Sequence, residues 1–180
     1  MPISSPDPSP DPRFAGARLA SSPFSGDTGE VQPAVAAALA AYAADRSRAL
    51  PVFAALRGAR LLVPVGAHLD EVAHDGAGRR HEKASSLSAV FLQRPDGRLA
   101  LLAFTGLVPL HAWQPTARPV PASAVDAART AVHDDASALV VDVAGPVSFV
   151  VEGTDLAALA AGLTPARVGE EDVWIGSAPE

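Results

Sequence analysis

The sequence predicts an α/β (α+β) single domain: a central mixed or mostly antiparallel sheet containing a long hairpin, flanked by helices. Three observations predict it. Ser86–Gln93, the turn Arg94-Pro95-Asp96-Gly97 and Arg98–Thr105 read as one hairpin whose strands are apolar on both faces. Apolar residues recur at helical spacing on either side of it. Short, continuously apolar segments bounded by glycine lie between those helices.

The elements follow in order. Residues 1–29 are rich in Ser, Pro and Asp, with Asp7-Pro8 echoed by Asp11-Pro12, and read as a disordered tail. Phe14 and Phe24 are the aromatics in it, and inert solvated side chains are the simpler reading. Val31, Val35, Leu39 and Tyr42 share one helical face, with Pro33 in the first turn, giving a helix over 31–46. Leu50–Arg57 is a second helix, stopped by Gly58. Arg60–Val65 is a buried strand in which Pro64 marks an edge, a bulge or an end. Residues 67–85 are polar and form a loop.

In the hairpin, Leu87, Ala89 and Phe91 face one way and Val90 and Leu92 the other. Leu99, Leu101 and Ala103 likewise oppose Ala100, Leu102 and Phe104. Strands with no polar face need cover on both sides, or a protomer interface, so a homodimer through this element is one expectation. Leu107–Trp113 is a short helix, and Arg118-Pro119-Val120-Pro121 an edge strand pinned by proline. Ser123 caps a helix over Ala124–His133. Ala138–Val143 and Val147–Val151 are strands, and Asp155–Ala161 is the last helix. The domain is thus placed at 30–162, and 163–180 is read as an acidic C-terminal tail. Its Val173-Trp174-Ile175 either folds back on the domain or docks on another protein, and self-docking is favoured because an exposed Trp is a liability.

Composition excludes several classes. The chain has 180 residues, 48% of them hydrophobic, enough for a sizeable core. A net charge of −6 argues against a nucleic-acid partner. There is no cysteine, hence no disulfide or thiolate chemistry. Neither a secretory signal nor an apolar run of roughly 20 residues is visible, so a cytoplasmic protein with no membrane partner is expected.

Catalytic constellations are sparse. His74 and His81 lie near Asp70, Glu71, Asp75 and Glu82, but a glycine-containing loop supplies no rigid metal-ligand spacing, and a solvated loop is the simpler reading. No Gly-x-Ser-x-Gly elbow and no phosphate-cradling glycine pattern occurs. No cofactor or metal is expected. Asp142, near a strand end, occupies a common catalytic address, yet an Asp before Gly145-Pro146 is also ordinary turn chemistry. His111, Trp113 and Arg118 follow the hairpin and combine residue types common at binding hot spots. They are the candidate binding residues, and an unidentified protein is the expected partner.

The ordered set Ala59-Arg-Leu-Leu-Val-Pro-Val65, Glu82-Lys83 and Ala103-Phe104-Thr105 resembles the SseB family of bacterial proteins. Trp113-x-Pro115-x-Ala117-Arg118-Pro119-Val120 and Leu139-Val-Val-Asp142-x-x-Gly145-Pro146 continue the likeness, which spans roughly Val35 to Gly162 and is strongest to the actinobacterial branch. Gly106-Leu107 departs from the polar residues expected after Phe-Thr. The resemblance implies an α/β domain with no established catalytic residues, a link to an enhanced-serine-sensitivity phenotype, and a domain label shared with secretion-associated proteins.

The expected function is a non-catalytic binding or regulatory module that engages a protein. The alternative is a small enzyme with a site near Thr105, Trp113, Arg118 and Asp142. An enzyme would bring Asp142 and at least one of Arg118, His111 or Thr105 together in a concave pocket with shifted titration. A binding module would scatter them around an apolar or aromatic patch. A third reading, a structural protein linked to secretion, would need a companion apparatus.

Overall fold

The computed structural model describes residues 24, 26–67 and 87–176. Phe14, His74 and His81 lie outside the described residues. The chain folds as an α+β domain of five helices and nine strands among those residues.

Helix α1, Pro33–Ala44, buries Val35, Ala38 and Leu39. It is shorter than the helix expected over 31–46. Gln32 is still extended ahead of Pro33, and Asp45 turns the chain out by accepting from the backbone N–H and hydroxyl of Ser47. Helix α2, Ala49–Arg57, buries Val52 and Leu56 and stops at Gly58. Strand β1, Arg60–Ala67, follows. Helix α3 is Leu107–Trp113, as expected, and the proline-pinned edge strand expected over Arg118–Pro121 continues to Ser123 as β5. The Ser123 hydroxyl accepts from Asp126 N at 3.0 Å and caps helix α4, Ala124–His133. Strands β6, Ala138–Val141, and β7, Phe149–Glu152, lead into helix α5, Gly153–Ala160.

The hairpin is built differently from the sequence expectation. Its turn is as expected: Gly97 adopts φ +83°, Gly97 N donates to Arg94 O, and Asp96 accepts from Arg98 N. Its first arm, however, is not one strand. It breaks at Val90 into β2, Leu87–Ala89, and β3, Phe91–Gln93. Val90 N donates to Pro64 O on β1, while Val90 O accepts from Leu102 N on β4, Leu99–Ala103. The residue therefore divides its backbone bonds between two neighbours. Below the fork β3 pairs with β4; above it β2 pairs with β1. The reason is that β1 takes over the free edge of β4: Leu62 and Phe104 exchange two backbone bonds of 2.7 and 2.9 Å. Instead of one central sheet there is a three-stranded sheet, β2-β1-β5, joined by that bridge to a four-stranded sheet, β3-β4-β6-β7. Every pairing is antiparallel except β4 with β6.

Both faces of β4 are covered, as its doubly apolar pattern requires. Leu101 and Ala103 join a core with Leu39, Leu56, Ala128 and Leu159, so α1, α2, α4 and α5 supply that cover. Leu102 and Phe104 pack on the other side with Leu62 and Leu110, under α3. Leu101 and Leu102 are each fully buried, worth about 1.5–3 kcal/mol apiece on folding.

The segment read as an acidic tail is largely ordered. Strands β8, Thr164–Val168, and β9, Glu171–Ile175, form an antiparallel hairpin with Gly169 at φ +63° in its turn. It folds back on the domain. The Trp174 and Phe53 rings meet edge-on at 5.3 Å, Trp174 Nε1 donates to Asp155 at 2.8 Å, and Arg57 Nε donates to Leu163 O. Among the described residues, no helix is long and apolar enough to cross a membrane.

Candidate functional site

The parallel register of β4 and β6, with Ala103 opposite Val141, brings the residues just beyond both strand ends side by side. These are Thr105 and Asp142. Asp142 N donates to Ala103 O, and the backbone then turns into the left-handed region at φ 54°. Aspartate tolerates that conformation better than most side chains. The bend aims the carboxylate back across the sheet, where one oxygen accepts from Thr105 N at 2.8 Å and the other from the Thr105 hydroxyl at 2.6 Å. Gly145 closes the turn by donating to Asp142 O, and a Cβ on Gly145 would come within 3.0 Å of Asp142 Cβ.

Thr105 is held from the opposite side by Arg60, a guanidinium only 4% exposed. One terminal nitrogen of Arg60 donates to Thr105 O at 2.9 Å; the other donates to Glu30 O at 2.6 Å and pairs with Asp27 at 2.8 Å. A chain of contacts thus runs from residues 27–30 through Arg60 and Thr105 to Asp142. Burial pushes the Asp142 carboxyl above the usual carboxylate range, and the two Thr105 bonds pull it partly back. No buried side-chain N or O among the described residues lacks a partner.

Two hollows flank α3. The first, about 470 Å³, lies between α1, α3 and the turn at 142–147; Thr105 and Asp142 line it with Leu39, Val108, Pro109 and Ala112. The second, about 550 Å³, is a groove bordered by Pro64, Val65, Val90, Trp113 and Arg118. Trp113 lies half-buried there, its ring tilted 31° against Phe104 at 5.5 Å, while Arg118 is exposed.

The residues singled out from sequence therefore divide. Trp113 and Arg118 share the groove. His111 is exposed on α3 two residues from Trp113, which turns it to another side of the helix, and it borders neither hollow. Thr105 and Asp142 meet at the cavity, away from that pair. The convergence set as the mark of an enzyme is present in part: a concave site, Asp142 with Thr105, and a shifted carboxyl. Among the described residues, no second titratable side chain lines the cavity. Among the described residues, no group of three His, Cys, Asp or Glu could hold a metal ion.

Sequence reasoning missed Arg60 as the residue that holds Thr105 beside the cavity. The available signal was a single charge opening a run of otherwise apolar strand residues.

A family model described as the SseB protein N-terminal domain matches residues 35–158. The matched region begins in α1, ends in α5, and contains both hollows' strand and α3 walls. No curated protein and no solved structure matches the chain.

Proposed function

The chain belongs to the SseB family, and from that premise we propose that it is a non-catalytic binding or regulatory module that engages a protein partner in the cytoplasm. The observation carrying this reading is the groove in which Trp113 and Arg118 stand together. A large aromatic and an arginine at one depression are the residue types that dominate binding energy at protein interfaces. The other hollow lacks the pair of groups that acid–base chemistry needs: each Asp142 oxygen accepts a bond from Thr105, and among the described residues no partner base lines the cavity.

The test is affinity capture from the native cytoplasm, comparing wild type with Arg118→Glu and with Arg129→Glu on the distant surface of α4. A specific protein retained by wild type and by the Arg129 variant, but lost by Arg118→Glu, supports the reading. Equal capture by all three, or capture of none, overturns it. A second reading, a small enzyme, is favoured by the buried Asp142 in its left-handed conformation. Depletion of a metabolite from cell extract by wild type but not by Asp142→Asn would support that reading over the first.

A further inference from the structure

Asp142 presents an electrostatic imbalance. The residue is 4% exposed, yet the two hydrogen-bond donors to its carboxylate are the neutral N–H and hydroxyl of Thr105. Among the described residues, none that lines the adjoining cavity is cationic. Arg60, the cation closest along the hydrogen-bond chain, is turned to the far side of Thr105 and committed to Asp27 and the Glu30 carbonyl. A buried carboxylate without a counter-charge is costly. Each of its oxygens also retains accepting capacity beyond the one bond it makes. Around it, Leu39, Val108, Pro109 and Ala112 offer hydrocarbon, and about 470 Å³ lies within the range of small-molecule pockets.

We infer that this cavity binds a small alkylammonium ligand, whose N–H groups meet the Asp142 carboxylate and whose carbon body packs on α1 and α3. The missing charge specifies the cation. The apolar walls specify the body. A zwitterionic amino acid fits poorly, because its own carboxylate would find no cation among the lining residues. The site is distinct from the Trp113–Arg118 groove, and either can fail without the other.

The probe is cyclohexylmethylamine added to the full chain at neutral pH, followed by calorimetry and thermal shift. The neutral isostere cyclohexylmethanol and Nα-acetyl-lysine methylamide serve as comparison ligands. The amine is expected to bind at least tenfold more tightly than the alcohol, and to lose at least tenfold in Asp142→Asn. Ala112→Phe, which fills the cavity from the exposed side of α3, is expected to abolish binding and gives a second route should Asp142→Asn fold poorly. Equal affinity for the alcohol, undiminished binding by Asp142→Asn or Ala112→Phe, or no amine binding at all overturns the inference. Tighter binding of the lysine derivative than of the free amine overturns it in favour of a protein lysine.

Discussion

Replacing Arg60 by methionine keeps a comparable stem but removes a guanidinium that serves three acceptors. Two are backbone carbonyls, Thr105 O at 2.9 Å and Glu30 O at 2.6 Å; the third is the Asp27 carboxylate at 2.8 Å. The Thr105 bond is fully buried, so its loss leaves an acceptor that water cannot reach, at about 1.5–3 kcal/mol for a bond to a charged donor. Glu30 and Asp27 are at the surface and regain water, so each adds less. The sum is about 3–5 kcal/mol, the usual cost of removing one partner from a buried ionic cluster. Asp27→Ala removes the outermost Arg60 contact and the long 3.3 Å bond from Gly29 N, and is expected to cost about 1 kcal/mol or less. Urea unfolding followed by circular dichroism measures both. Arg60→Met should be the more damaging by several-fold, and the amides at 29–31 should lose hydrogen-exchange protection in it. If the two variants cost the same, or Arg60→Met costs under about 1 kcal/mol, Arg60 is not the clamp described.

Asp142→Asn retains acceptor and donor for Thr105 and tolerates the left-handed backbone, but carries no charge. Because burial raises the Asp142 pKa, the native state holds a proton that the unfolded chain has already lost between about pH 3.9 and the folded value. Wild-type stability therefore falls relative to the variant as pH rises through that window and stays lower above it; urea melts of both proteins at acid and neutral pH check this, and an advantage that shrinks with rising pH refutes it. Gly106→Ala would place a Cβ 2.9 Å from Gly29 O and 3.0 Å from Val31 N, backbone atoms that cannot yield cheaply, so a loss of about 1–3 kcal/mol is expected in thermal unfolding. An unchanged melting temperature would show that residues 29–31 shift freely. Trp174→Phe keeps a ring against Phe53 but loses the bond to Asp155; a cost of about 1 kcal/mol and faster amide exchange across β9 are expected, and unaltered exchange contradicts a docked hairpin.

The helices were legible because their signals are local. Pro33, Gly58 and Ser123 mark boundaries by chemistry that acts within one turn, and the spacing of Val35 and Leu39 names the buried face. The turn at Arg94–Gly97 was legible for the same reason. The fork at Val90 was not: the apolar run continues without a break from Ala89 to Leu92, and what divides the strand is a competition between β1 and β4 for its backbone. The β8–β9 hairpin was hidden by acidic residues that stay exposed, while Trp174 is the aromatic anchor of its docking. At the site, each residue could be suspected singly, but the Thr105–Asp142 pair is made by a parallel register across 37 residues, and no local pattern encodes that.

The bridge between Leu62 and Phe104 has a consequence at the opposite edge of the sheet. Leu62 spends its N–H and carbonyl on Phe104, and Pro64 turns its carbonyl to Val90, so both residues direct their backbone groups away from β5. Their β5 partners are Pro121 and Pro119. In an antiparallel ladder such opposed residues do not bond each other, and the partner's backbone groups point outward. Outward at these two positions means no N–H at all, because both are proline. The outer rim of β5 thus presents carbonyls without the donors that an incoming strand would need at those steps. Extension of the sheet through β5, by a second copy or by a misfolded neighbour, is disfavoured by the covalent structure of the strand itself.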